Sequence, residues 1–393
     1  MTAGRAQEVA RRRPVQWREP LVAWAVTRGL ILVATVVLSY ALGVPHLGVD
    51  PAVPRWLALL GGWDTSWYLD IATRGYDDYT GLAGVLFTNL PFFPLVPMVM
   101  KVGIALHVNP FVFAVAVNNV AFLGALVGIH RLSAERFGAA RARLVVWAFA
   151  ALPPSVYASM AYTEALTLAM AVGAAILAQH RRWGWAASAA AVATLGRPPG
   201  VLVALLVAVF AWQAGGPRSA QVRRVALVMA PAALTLAGFL AAMQITRGAW
   251  DLPFVAQAAW RRGPLGIGVL TYLPVEIGDA VRAAFNLDVV GLWAPVVRDG
   301  LPTLGYAFLL RRLWRMEGGW RNPWFIYSAA VLALPLSSGS FESMTRFGLM
   351  AFPLVWPAAE WMDEGGERRR TWVLVASLVL CVIAVGEMRI EGP

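Results

Sequence analysis

The chain has 393 residues, of which 59% are hydrophobic and 14% are charged. A soluble globular protein carries about 25% charged residues, so this composition argues against an ordinary water-soluble fold and indicates an integral membrane protein. The formal net charge of +11 does not indicate a nucleic-acid partner, because most of the arginines lie in short loops between apolar stretches.

The N-terminal segment, 1–20, is basic and is followed by a long apolar stretch. A membrane-spanning helix needs roughly 20 mostly apolar residues, and cytoplasmic loops carry the excess of Lys and Arg. These two rules predict an all-α, multi-pass protein of the cell membrane with a cytoplasmic N-terminus and about 11 transmembrane helices. The predicted spans are 21–44, 110–131, 144–160, 162–180, 184–196, 200–213, 225–245, 289–310, 323–338, 346–361 and 371–386.

Two long connections remain, 45–109 and 246–288, and the alternation of basic loops places both on the extracytoplasmic side. The first loop contains an apolar but short stretch, 91–108, whose first half is broken by three prolines. Since proline removes a backbone donor, this stretch is predicted to be interfacial or re-entrant rather than to cross the bilayer. With no internal repeat or soluble domain, residues 1–393 are predicted to form one transmembrane domain.

Four groups of ionisable side chains fall on the predicted outer side. They centre on Asp64 with Asp70, on Glu164, on Arg197, and on Glu342 with Arg346. Charged residues near the apolar part of a membrane are costly and tend to mark functional sites, although each could also be an ordinary loop charge in water. Their convergence predicts an active site on the extracytoplasmic face.

Asp64 and Asp70 are six residues apart, which is about 240° around a helix. They therefore lie on different faces of the amphipathic helix predicted in the first loop, which argues against a paired-carboxylate or metal site. Asp64 follows two glycines, a position that also suits a helix N-cap. The histidines are scattered and Cys381 is the single cysteine, so no metal or other cofactor is predicted.

The first-loop sequence W-D-x-x-W-Y-L-x-I-A-x-x-G-Y, residues 63–76, followed by F-F-P-L-x-P at 92–97, resembles the signature of the PIG-V-like mannosyltransferases. Three shorter elements resemble motifs of the same family in the same order: Tyr162-Thr163-Glu164-Ala165-Leu166, Arg197-Pro198-x-Gly200, and Arg346-Phe347 with Phe352-Pro353-x-x-Trp356. They extend from about residue 61 to 357. The Arg- and Ala-rich composition indicates a bacterial member.

The resemblance implies a GT-C glycosyltransferase fold and an inverting transfer of mannose from polyprenyl-phosphate-mannose to a lipid-linked or glycolipid acceptor. It implies Asp64 as the general base that accepts the acceptor's proton. Arg197 and Arg346 are candidates for binding the donor phosphate, because a guanidinium can hold phosphate through two parallel hydrogen bonds. The candidate substrate-binding residues are Trp63, Trp67, Tyr68, Asp70, Tyr162, Glu164 and Glu342.

Other functions fit parts of the same pattern. The donor could carry another sugar, such as arabinofuranose or glucose, and the acceptor could be a protein. A lipid or sugar transporter is the alternative from a different class. Transporters are often built from internal repeats with sites near the middle of the membrane, whereas here the polar groups collect at one face and no repeat is visible, which favours an enzyme.

Overall fold

The computed structural model describes residues 17–42, 50, 52–78, 85–288, 292–316 and 318–388, so most of the predicted basic tail lies outside the described residues. Within these ranges the chain is helical and contains no β-strand, as predicted. The longer helices are α1 (Arg18–Leu42), α2 (Asp64–Thr73), α3 (Leu95–Ala105), α4 (Pro110–Phe137), α5 (Ala139–Ala150), α6 (Glu164–Gln179), α7 (Trp183–Thr194), α8 (Pro198–Gln213), α9 (Arg218–Arg247), α10 (Leu273–Phe285), α11 (Leu301–Met316), α12 (Pro323–Ser337), α13 (Met344–Met350), α14 (Val355–Glu364) and α15 (Gly366–Glu387).

Short helical turns connect these helices. The α-helical turns are Arg55–Ala58, Leu252–Val255 and Gly268–Thr271, and a π-helical segment, Trp293–Gly300, precedes α11. The 3₁₀ turns are Leu59–Gly61, Pro153–Ser159, Ala256–Trp260, Gly319–Arg321 and Phe352–Leu354.

Four of the described helices are long and apolar enough to cross a bilayer: α1, α4, α9 and α15. A fifth candidate is the pair formed by Pro153–Ser159 and α6, which is bent by 101°. The outward sides of α1, α9 and α15 expose large apolar side chains, as expected for contact with lipid, among them Val33, Val37, Leu227, Leu234, Val379 and Ile383. The described part of the chain therefore has the helices of a membrane protein.

Three predicted spans are interrupted in the structure. The segment 144–160 is divided between α5 and the 3₁₀ turn at Pro153, and 346–361 is divided among α13, the turn at Pro353 and α14. The segment 289–310 contains the π-helical stretch before α11. Two of the breaks occur at prolines, which cannot donate the backbone hydrogen bond that continues a helix. The prediction of eleven spans thus remains a prediction.

The stretch 91–108 contains only the 11-residue helix α3. At 1.5 Å per residue α3 is about 16 Å long, which is about half of the hydrocarbon thickness of a bilayer. It packs against α2 and α4. The interfacial or re-entrant placement of this stretch stays a prediction.

Alanine-rich faces bring α6 and α7 close together. Small side chains let helix backbones approach closely, which strengthens packing where no hydrophobic force drives association within lipid. In the same bundle α7 packs on α8 and α9, while α6 packs on α4. The fully or nearly fully buried alanines of the two faces are Ala171, Ala174, Ala175, Ala178, Ala186, Ala187, Ala190 and Ala193.

Arg28 connects α1 to the end of α5 and to the 3₁₀ turn Pro153–Ser159 through hydrogen bonds. Its guanidinium donates to the Ser155 carbonyl at 2.7 Å and the Ser155 hydroxyl at 2.8 Å, and to Ser159 Oγ at 3.0 Å and the Ala150 carbonyl at 3.3 Å. Carbonyls in the last turn of a helix, such as that of Ala150, lack intrahelical partners. Arg28, which is 7% exposed, supplies these missing donors and holds the turn that leads into α6.

Candidate active site

Four charged side chains from distant parts of the sequence form one ion-pair network. Arg346, on α13, lies between two carboxylates: its Nη2 is 2.6 Å from Asp64 Oδ2 and its Nε is 2.6 Å from Glu164 Oε1. Arg197, just before α8, donates from Nη1 to the same Glu164 oxygen. The structure thus brings together Asp64, Glu164, Arg197 and Arg346, each of which was selected from the sequence.

The network is buried except at one end. The side chain of Glu164 is fully buried, those of Arg346 and Arg197 are 8% and 11% exposed, and that of Asp64 is 22% exposed. Asp64 Oδ2 is held by Arg346, whereas Oδ1 makes no hydrogen bond within the described residues. The arrangement therefore offers one oriented carboxylate oxygen to an incoming group, and Glu164 holds both arginines through Oε1.

Tyr162 connects the first loop to the start of α6. Its hydroxyl donates to the Gly62 carbonyl at 3.0 Å and accepts from the Asp64 backbone N–H at 3.1 Å. Its ring lies under the guanidinium of Arg346, 4.6 Å from centroid to Cζ, a distance that allows a cation–π interaction. Tyr162 is completely buried, and through these contacts it positions Asp64 and Arg346 from the interior of the protein.

Asp64 is the first residue of α2, and the N-cap position belongs to Trp63. Trp63 has a φ of 55°, a backbone conformation that residues other than glycine rarely adopt. Its ring centroid lies 6.2 Å from that of Tyr157. No side-chain capping bond is formed at this helix start. The Asp64 carboxylate therefore points to Arg346 instead of capping its own helix.

The other first-loop candidates lie beside the network. Trp67 stacks on Phe92 at 5.9 Å and meets Trp260 edge-on at 6.2 Å. Tyr68 is 4% exposed and packs edge-on against Phe92 and Tyr162. The aromatic side chains thus form a wall next to Asp64, with Tyr68 on its buried side.

Asp70 has different partners. It accepts a 2.7 Å hydrogen bond from Asn89 Nδ2 and forms an ion pair with Arg74. Asn89 in turn binds the backbone and side chain of Asp77. The separation of Asp64 and Asp70 follows from the helix geometry, and Asp70 organises the loop after α2 rather than joining the ion-pair network.

Glu342 lies in the turn before α13. Its carbonyl accepts from Arg262 Nη2 at 3.2 Å, while its carboxyl group makes no hydrogen bond within the described residues. Burial raises the pKa of this carboxyl group above its usual value. Glu342 is therefore a partly buried acid close to, but not part of, the ion-pair network.

The sequence interpretation missed a neighbouring pair, Arg298 and Asp299. Asp299 is 1% exposed and accepts from Arg298 Nε at 2.8 Å and from Thr345 Oγ1 at 2.6 Å. Arg298 also lies 5.5 Å from the ring centroid of Trp63. Two adjacent charges in the otherwise apolar stretch 289–310 were a signal for this pair, since charges in a predicted span tend to mark functional sites.

Gly200, three residues after Arg197, lies where the chain has no room for a larger side chain. A Cβ atom at Gly200 would lie 1.8 Å from the Ala193 carbonyl oxygen, in the last turn of α7.

We expect Gly200→Ala to separate α7 from α8, to cost about 1–3 kcal/mol of stability, and to lower activity by moving Arg197. Thermal unfolding in detergent measures this cost. The control is Gly173→Ala in α6, where nothing lies within 4 Å; equal stability of the two variants would contradict the proposed close contact.

No group of three or more His, Cys, Asp or Glu side chains in the described ranges is arranged to hold a metal ion.

No protein-family model matches the chain. No curated protein matches it either. Among solved structures, it is similar to the Archaeoglobus fulgidus oligosaccharyltransferase in complex with zinc and sulfate, with 12% identity and a TM-score of 0.48 over 93% of this chain and 53% of that one. The same enzyme tethered to an acceptor peptide containing an NVT sequon gives 12% identity and a TM-score of 0.45, over 93% and 55%.

The archaeal oligosaccharyltransferase from Archaeoglobus fulgidus in complex with an inhibitory peptide and a dolichol-phosphate is similar at 11% identity, with a TM-score of 0.43 over 93% of this chain and 56% of that one. The chain thus spans about half the length of the solved structures it resembles.

Proposed function

We propose that the chain is a membrane glycosyltransferase that moves mannose from a polyprenyl-phosphate donor to a hydroxyl group of a lipid-linked or glycolipid acceptor. The observation that carries the proposal is the Asp64 carboxylate, which pairs with Arg346 through one oxygen and makes no hydrogen bond to the described residues through the other. The choice of mannose and of a GT-C fold rests on the resemblance of residues 63–76 to the PIG-V-like signature.

A single accessible carboxylate suits this reaction. An inverting glycosidase needs one carboxyl group as acid and a second as base, whereas a phosphate leaving group departs without a general acid. The acceptor hydroxyl attacks the anomeric carbon on the face opposite the phosphate, and its proton passes to Asp64 Oδ1. The bond between the anomeric carbon and the phosphate oxygen breaks, and its electron pair remains on the lipid phosphate.

The arginines of the network stabilise the charge that this step creates. Within the described residues Arg346 contacts the two carboxylates through Nε and Nη2, which leaves its Nη1 for a phosphate oxygen. Arg197 uses Nη1 for Glu164 and is partly exposed. Charge-assisted hydrogen bonds of this kind are roughly twice as strong as neutral ones. Glu164, by holding both guanidinium groups, keeps them oriented before the substrate arrives.

The remaining candidates are assigned to the substrates by position. Trp63 and Trp67 lie beside Asp64 and provide aromatic surface for the sugar or acceptor. The basic N-terminal segment is assigned to the cytoplasm and the site to the extracytoplasmic face of the cell membrane, in line with the distribution of arginines. Lipid-linked donor and acceptor reach such a site from the bilayer, and no cofactor is required.

The proposal is tested with the purified protein in lipid nanodiscs. Radiolabelled polyprenyl-phosphate-mannose is supplied with a total lipid extract of the source organism, and label is followed into new lipids. We expect a mannosylated lipid that is absent when the protein is omitted. Parallel reactions with the arabinofuranose and glucose donors test the sugar. Transfer from either of these donors alone would correct the sugar, and transfer from none of them to lipid or protein would refute the proposed activity.

A further inference from the structure

Arg262 differs from the other arginines near the network. It follows the 3₁₀ turn Ala256–Trp260, and its Nη2 donates only to the Glu342 carbonyl, at 3.2 Å, and to Ser343 Oγ, at 3.4 Å. Its Nε is buried and has no hydrogen-bond partner in the described part of the chain. No carboxylate of the described residues pairs with it within 4.0 Å.

The other nearby cations are already balanced. Arg197 and Arg346 share Glu164 and Asp64, and Arg298 pairs with Asp299. Burial lowers the pKa of the Arg262 guanidinium below its usual value, and the nearby Glu342 carboxylate offsets this only in part. An anion placed against Arg262 would pair with a guanidinium that has no ion-pair partner within 4.0 Å among the described residues.

Backbone hydrogen bonds attach the segment that carries Arg262 to the end of α12. Gly263 N donates to the Ser338 carbonyl at 2.8 Å, and Gly266 N donates to the Ser337 carbonyl at 2.8 Å. Trp260, two residues before Arg262, packs against Trp67 of α2. Arg262 thus lies between Trp260, which packs on Trp67, and the turn that precedes Arg346.

We propose that Arg262 binds the phosphate of the polyprenyl-phosphate substrate, a role that rests on the proposed function. The donor presents a phosphodiester monoanion and the product a phosphomonoester, and both offer the paired oxygens that a guanidinium grips. Arg262 then supplies the main contact to the anion, while Arg346 orients Asp64 and adds a second contact when charge develops on the leaving oxygen.

The proposal is tested by equilibrium binding of fluorescent polyprenyl phosphate and fluorescent polyprenol to the full chain in phosphatidylcholine nanodiscs. We expect the wild type to bind the phosphate at least tenfold more tightly than the alcohol. Arg262→Gln loses this preference, and Arg262→Lys restores part of it. The matched control is Arg261→Gln, since Arg261 is exposed and pairs with Asp279; it keeps the wild-type preference. Unfolding temperatures identify variants that fail to fold.

The outcomes separate the two proposals. A wild type that binds phosphate and alcohol equally would refute the polyprenyl-phosphate donor, and with it the role of Arg262. A wild type that prefers the phosphate, together with a folded Arg262→Gln variant that keeps this preference, would overturn the role of Arg262 alone. Displacement of the probe by phosphatidylglycerol as effectively as by unlabelled polyprenyl phosphate would make Arg262 a general headgroup anchor and would also overturn the inference.

Discussion

Replacing Asp64 with asparagine is expected to lower the rate of sugar transfer by about 10²–10⁴-fold, the usual contribution of a general base. Asparagine keeps the size of the side chain, and Arg346 keeps its ion pair with Glu164, so the fold should remain intact. The amide cannot take up the acceptor's proton. Steady-state kinetics with labelled donor should show a fall in kcat with a smaller change in the KM for the donor.

Asp70→Asn is the matched control, because Asp70 lies on the same helix but binds Asn89 and Arg74. We expect this variant to keep transfer within a few-fold of the wild type. If Asp64→Asn retained wild-type activity, Asp64 would not be the base. The partly buried carboxyl group of Glu342 would then be the next candidate, since burial raises its pKa above the usual value.

Replacing Glu164 with glutamine is expected to cost about 3–5 kcal/mol of stability, the typical cost of removing one partner from a buried ion pair. Glu164 is fully buried and serves both Arg197 and Arg346. Glutamine has the same shape but leaves Arg197 without an anionic partner. Equilibrium unfolding in mixed detergent measures the loss, and activity should fall as well because Arg346 is no longer held from both sides.

The control for this experiment is Glu135→Gln on α4. Glu135 pairs with Arg131 one turn earlier, and both side chains are about one-third exposed. Exposed pairs contribute at most about 1 kcal/mol, so this variant should unfold almost like the wild type. A Glu164→Gln variant as stable as the Glu135→Gln variant would show that the network does not depend on its shared carboxylate.

The main members of the site could be selected from the sequence because a charge is conspicuous in an apolar chain. Asp64, Glu164, Arg197 and Arg346 were selected in this way, and they meet in one network. The sequence could not show the pairing within the network, because that depends on how α2, α6, α8 and α13 pack. The sequence predicts Glu164 as a substrate ligand, and the structure adds that its carboxylate pairs with both arginines.

Arg262 is a residue near the site that the sequence alone did not identify. In the sequence it is one of two adjacent arginines in a predicted loop, and nothing separates it from Arg261. Only the packing of that loop on the turn before α13 buries one guanidinium and leaves the other in contact with Asp279. The interrupted spans were more accessible to prediction, since Pro153 and Pro353 mark two of the three breaks.

Arg28 has a consequence for the synthesis of the protein. Its acceptors at Ser155 lie 127 residues later in the chain, so at about 5–20 residues per second the ribosome needs roughly 6–25 s to produce them. During this interval α1 carries an arginine whose transfer to the middle of a bilayer costs about 2.5–3.5 kcal/mol. Until the Pro153–Ser159 turn packs against α1, the Arg28 guanidinium has to stay hydrated, at the membrane surface or at the insertion machinery. Once the turn packs, its oxygens replace this water.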